Sequence, residues 1–129
     1  MRILVCYPGH AVSTIDVANG YYSALGALGH DVARFNYHTR LAFYDEALSA
    51  WERKNPNFEK TGDAVKVLAS EAILTEIADF APQFVLVISG LGLHLRAYEL
   101  MHKIGMPYGV ILTESPYADD VQQAMIASV

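Results

Sequence analysis

The sequence holds a single cysteine, Cys6, so no disulfide can form within the chain. A reducing compartment suits that usage, and the fold must be held by packing alone. Positive charge is also scarce: nine Lys and Arg stand against fourteen Asp and Glu, for a net charge of −5. The basic residues are scattered, which excludes a large nucleic-acid footprint, because phosphate contacts need clustered cations. Long apolar runs are missing as well. The stretch behind Met1 stops at Pro8-Gly9, too soon for a secretory leader, and nothing approaches the roughly 20 apolar residues of a membrane span. Internal repeats and low-complexity segments are absent. The expectation is a cytoplasmic protein.

What is present describes a folded chain. With 129 residues, 53% of them hydrophobic and 18% charged, the composition is that of one globular domain, residues 1–129, and not of a disordered segment. "RILVCY" (2–7) reads as a buried strand closed by Pro8-Gly9-His10. Ala18, Tyr21, Tyr22, Leu25 and Leu28 then recur at helical spacing, with Gly29 placed as the residue after the helix. Ser13 followed by Asp16 reads as a variant capping box at its start. "HDVARFNY" (30–37) alternates as a more exposed strand does.

From Thr39 to Phe58 the pattern blurs into a helical excursion and a loop that breaks at Asn55-Pro56-Asn57. One longer helix is expected from Gly62 to Phe80, on the stripe Ala69, Ile73, Ile77 and Phe80. "QFVLVIS" (83–89) is the most apolar run and reads as a central parallel strand. A helix from Leu93 to Ile104 follows, then the strand "YGVILT" (108–113) and a helical tail opened by Asp119 and Asp120. Alternating strands and helices predict an α/β fold: a three-layer, Rossmann-like open parallel sheet of about four strands, flanked by helices. Right-handed crossovers favour the order 2-1-3-4, with the switch point between strands 1 and 3.

Ligands of such sheets sit beyond the carboxyl ends of the strands. That directs attention to "PGHAVST", "SGLGLH" and "TESPY". These loops carry His10, Ser13, Thr14, Ser89, Gly90, His94, Glu114, Ser115 and Tyr117 towards one crevice. His10 is available as a general base, since imidazole titrates near neutrality, or as a loop residue bonded to nearby backbone. His94 opens a helix, where it either caps that helix or orients an anion or sugar hydroxyl. Glu114 either caps the next helix or contacts a ligand. His30, His38 and His102 are expected on the surface. No close-spaced ligand pair supports a metal site.

Other chemistries lack their signatures. No G-x-G-x-x-G fingerprint follows a strand, and the acidic residues of a phosphoreceiver are replaced by Pro8-Gly9-His10 and Ser89-Gly90. Ser13 and Thr14 hint at a flavodoxin-like loop, without the dense Ser/Thr-Gly pattern that wraps a phosphate. No cofactor is therefore expected. The aromatic set Tyr21, Tyr22, Phe35, Tyr37, Phe43, Tyr44 and Trp51 is expected to pack, and the cluster Glu46, Glu52, Arg53 and Lys54 to form a solvated face.

"GHAVSTIDVANGYYSALGALGHDV", "FVLVISGLGLH" and "GVILTESPYADD" together resemble the N-terminal half of bacterial glycosyltransferases with the two-domain GT-B fold, closest to the spore-maturation-type (CgeB-like) family. The resemblance spans almost the whole chain outside 39–58. It implies an acceptor-side domain facing a donor domain across a cleft, with a sugar passing from a nucleotide-sugar to an acceptor hydroxyl. His10 and Glu114 are then the candidate catalytic bases. Ser13, Thr14, Ser89, Gly90, His94, Ser115 and Tyr117 are candidate substrate contacts. The partners implied are the nucleotide-sugar and acceptor, engaged with a C-terminal domain that these residues do not include. The chain alone is accordingly expected to be inactive, with a homodimer through an exposed sheet edge as a further expectation. The alternative is a stand-alone flavodoxin-like domain for small-ligand binding or protein interaction.

Overall fold

A computed structural model describes residues 1–9, 12–89 and 93–112, with the side chains of residues 12 and 13 left aside. Four strands form one sheet: β1 (Arg2–Cys6), β2 (Asp31–Phe35), β3 (Phe84–Ile88) and β4 (Tyr108–Ile111). All pairings are parallel and the order is β2-β1-β3-β4, as the element pattern predicts. β1 lies in the middle because its run is apolar on both faces, and its residues Ile3 to Cys6 are buried.

The helices divide between the two faces. Helix α1 (Val12–Ala27) packs Ala18, Tyr22 and Leu25 on one face, against Ile3, Val5 and Ile88. Helices α2 (Tyr37–Lys54), α3 (Gly62–Glu71), α4 (Ile73–Phe80) and α5 (Leu95–Lys103) cover the other. There Leu4, Cys6, Val85 and Val87 meet Ala69, Ile73 and Met101, all essentially inaccessible. On the α1 face Phe84, Leu86 and Ile111 remain only partly buried, so β3 is less enclosed than its apolar run suggests.

Three local expectations change. Helix α1 begins at Val12, so the backbone of Ser13 stands inside its first turn and not at the position before it. β2 ends at Phe35, and Tyr37 opens α2 instead of extending the strand. Its ring is buried, packs edge-on to Phe35 at 6.5 Å, and its hydroxyl accepts a bond from Ser70. The helical excursion expected from Thr39 is the 18-residue helix α2, and it ends before Asn55-Pro56-Asn57, where the break was expected. The expected 62–80 helix is two helices divided at Ala72, although the apolar stripe runs through both.

The aromatic set also divides. Phe35 and Tyr37 pack in the core, whereas Phe43 and Trp51 are exposed. The charged cluster is not wholly solvated, because a Glu52 carboxylate oxygen accepts the backbone N–H of Lys60 at 2.6 Å. Gly29 and Gly105 follow α1 and α5 with φ of 93° and 75°, the left-handed conformation that glycine adopts without strain. At each, the next N–H reaches back five residues, from His30 to Leu25 and from Met106 to Met101, which satisfies a terminal carbonyl.

Among the described residues, no helix is long and apolar enough to cross a membrane.

Candidate functional site at the carboxyl edge of the sheet

The carboxyl edge is where the chain turns from strands into helices. β1 leaves through Tyr7-Pro8-Gly9, β2 enters α2 through Asn36, and β3 leaves through Ser89. Ser89 is buried with φ of 72°, and its N–H bonds the Ile111 carbonyl at 2.7 Å. A non-glycine residue in that conformation is uncommon, and here a cross-strand bond holds it.

Two of the candidate residues are well defined beside Ser89. Thr14 lies half-buried near the start of α1. His94 is the N-cap of α5: its Nδ1 accepts the Arg96 N–H at 3.0 Å, and its Nε2 lies 3.1 Å from Asp63 Oδ1. Its own N–H is held by Ser70 Oγ at 2.9 Å. The imidazole thus spends one nitrogen on the helix and the other on a carboxylate, which favours the tautomer with the proton on Nε2. Of the two roles open to His94, the structure fills the capping one. His10, Gly90, Glu114, Ser115 and Tyr117 lie outside the described residues, and of Ser13 only the backbone position is described.

Beneath the switch point the described residues are closely packed. Cys6, Gly9, Val87 and Leu93 border a void of about 10 Å³, at the lower limit for one water molecule. Burial pushes the Cys6 thiol up to about 12, so it stays protonated and unreactive. Tyr37 is likewise raised, by burial first, against the opposing bond from Ser70. On the α1 side, the Tyr7 hydroxyl donates to Asn19 Oδ1 at 2.8 Å. Burial raises the Tyr7 pKa, and the Arg34 guanidinium, stacked 4.4 Å over the Tyr22 ring, opposes it.

More room lies one helix away from the switch point. A cleft of about 420 Å³ opens between Gly9, the first half of α2 and the start of α3. His38, Leu41, Ala42 and Asp45 face it from α2 at helical spacing; Gly62, Val65 and Lys66 face it from α3. Gly9 lies close to this wall: a Cβ there would come within 3.2 Å of Leu41 Cδ1, which would have to shift by a few tenths of an ångström. The walls are set by the 55–61 connection folding back along α2. Lys60 fastens it, its ammonium donating to Asp45 Oδ1 at 2.9 Å and to Ser49 Oγ at 2.8 Å. Thr61 then caps α3 by accepting the Ala64 N–H at 3.1 Å.

Sequence reasoning overlooked this cleft. His38 is exposed, as expected of a surface histidine, but it lines a concavity. The visible signal was the 38-41-42-45 spacing, hidden in a segment read as blurred. Among the described residues no group of three or more His, Cys, Asp or Glu is arranged to hold a metal ion. Comparison of the chain with family models, with curated proteins and with solved structures returns no match.

Proposed function

We propose that this chain is the acceptor-side domain of a glycosyltransferase, presenting a hydroxyl-bearing acceptor at the carboxyl edge of its sheet. Fold alone does not carry a function, since open parallel sheets host many chemistries. The β2-β1-β3-β4 order supports only the location of the site, since its switch point lies between β1 and β3. Gly9 and Ser89, where β1 and β3 end, together with Thr14 near the start of α1 and His94 before α5, are the described residues consistent with a site there. The motif resemblance supplies the reaction class.

In the proposed reaction a base, His10 or Glu114, takes the acceptor hydroxyl proton. The oxygen attacks the anomeric carbon of the donor, and the nucleotide leaves with the electron pair of the broken glycosidic bond. The donor nucleotide is bound mainly by a second domain.

Titration of the isotope-labelled chain with simple glycosides and with nucleotide-sugars tests the reading. Glycosides are expected to shift the amides of Ser89 and His94, with no transfer by the 129 residues alone. Flavin bound on purification would favour the flavodoxin-like alternative. Tight nucleotide binding without any glycoside response would overturn the acceptor-side assignment. In a protein carrying both domains, normal turnover of His10→Ala and Glu114→Ala would remove the two bases.

A further inference from the structure

The α2–α3 cleft has a polarity that its surroundings do not explain. Leu41 and Val65 are buried side chains and give it an apolar floor, while its volume of about 420 Å³ falls in the range of small-molecule sites. The acidic residue of its lining, Asp45, is already matched by Lys60 at 2.9 Å. Lys66 is exposed on the opposite wall and has no ion-pair partner among the described residues. His38 faces the same space, and its ring is not engaged by any described residue. In a chain with a net charge of −5, the cleft therefore offers an ammonium and an imidazole that no described residue engages, above an apolar floor.

We propose that this cleft binds a small anionic ligand with an apolar body. The carboxylate or phosphate group lies against Lys66 and His38, and a ring or short alkyl part rests on Leu41 and Val65. An ammonium is a strongly hydrated point charge that suits a phosphate or carboxylate without demanding one geometry. The apolar floor excludes water from one side of the ligand and so supplies affinity that a bare anion cannot gain. The inference holds whether or not the chain serves glycosyl transfer, because it rests on the α2–α3 walls and not on the β1–β3 crevice.

Three probes separate the components in titrations of the isotope-labelled chain. Phenyl phosphate carries both charge and ring, inorganic phosphate only the charge, and benzyl alcohol only the ring. Phenyl phosphate is expected to shift the amides of Leu41, Val65 and Lys66 saturably and to bind more tightly than either of the others. Lys66→Gln, at an exposed position, is expected to keep the fold by circular dichroism and to weaken phenyl phosphate about fivefold, the worth of one partly screened charge pair. Ala42→Phe, which fills the cleft from its exposed rim, is expected to abolish the shifts. Absence of saturable shifts at these amides overturns the proposal, as does a Lys66→Gln chain that binds phenyl phosphate unchanged. Inorganic phosphate binding as tightly as phenyl phosphate would refute the apolar half. None of these outcomes bears on the glycoside response at Ser89 and His94.

Discussion

The buried hydroxyl of Ser70 in α3 accepts the backbone N–H of His94 at 2.9 Å, so the residue capping α5 is itself held by a neighbouring helix. The same hydroxyl donates to Tyr37 at 3.4 Å, which ties the start of α2 into the arrangement. Ser70→Ala removes the acceptor and leaves the His94 N–H without that partner. The expected loss is about 1–3 kcal/mol of stability, read as a lower urea midpoint with an unchanged m-value.

His94 itself should behave as a cap. His94→Ala forfeits the bond from the Arg96 N–H and is expected to cost about 1 kcal/mol, while His94→Asn, a good capping residue, should recover most of it. If Asn were no better than Ala in chemical denaturation, the capping role would be disproved.

The same glycine substitution should act in opposite directions at different sites. Gly20 lies exposed in the middle of α1 with nothing within 4 Å of an added Cβ, so Gly20→Ala should stabilise by about 0.5–1 kcal/mol. Gly29 and Gly105 have φ of 93° and 75°, and there alanine should destabilise by about 1–2 kcal/mol although the space is open. Thermal unfolding of the three variants checks the signs.

Alkaline pH should expose the buried thiol. Cys6 titrates near 9.0 when free of the fold, and burial moves it to about 12 in the folded protein. Between those values the unfolded chain has lost a proton that the folded chain keeps, so raising the pH draws the equilibrium towards unfolding. The stabilisation is intact below about 9 and falls through the window to about 12, with a slope on the order of 1 kcal/mol per pH unit. Cys6→Ala should flatten that slope relative to the wild type, while Tyr37, also raised by burial, contributes to both. A thiol reagent should label the native protein only as fast as it opens.

Arg34 over the Tyr22 ring, 4.4 Å from its centre, should show a coupling of about 0.5–1 kcal/mol in a double-mutant cycle of Arg34→Ala and Tyr22→Leu. Arg34→Ala should also raise the Tyr7 pKa further, since the guanidinium opposes the effect of burial. An ultraviolet titration of the phenol reports it.

Much of the fold was legible along the chain because strands and helices announce themselves over a few residues. The apolar runs 2–7 and 83–89 mark the two inner strands, and Gly29 and Gly105 mark helix ends through a conformation that only glycine takes freely. Legibility failed where a local pattern was ambiguous. Tyr37 continued the alternation of β2, yet its ring turns inward on Phe35 and starts a helix. Polar positions in α2 hid its periodicity, because its exposed aromatics Phe43 and Trp51 sit off the buried face. Of the candidate site, the helix-opening place of His94 was readable, whereas its bond to Asp63 was not, since those residues are 31 positions apart.

By itself, then, the sequence determined the strand–helix alternation, and with it a parallel sheet in the order 2-1-3-4, with β1 and β3 leaving its carboxyl edge through Gly9 and Ser89. Short-range periodicity and right-handed crossovers suffice for that. Only the tertiary structure decided where the larger cleft opens and which charges within it stay unmatched. Those depend on the 55–61 connection folding back so that Lys60 occupies Asp45 and leaves Lys66 unpaired among the described residues on the facing helix. Such a pairing is chosen by packing between distant segments, and no local pattern carries it.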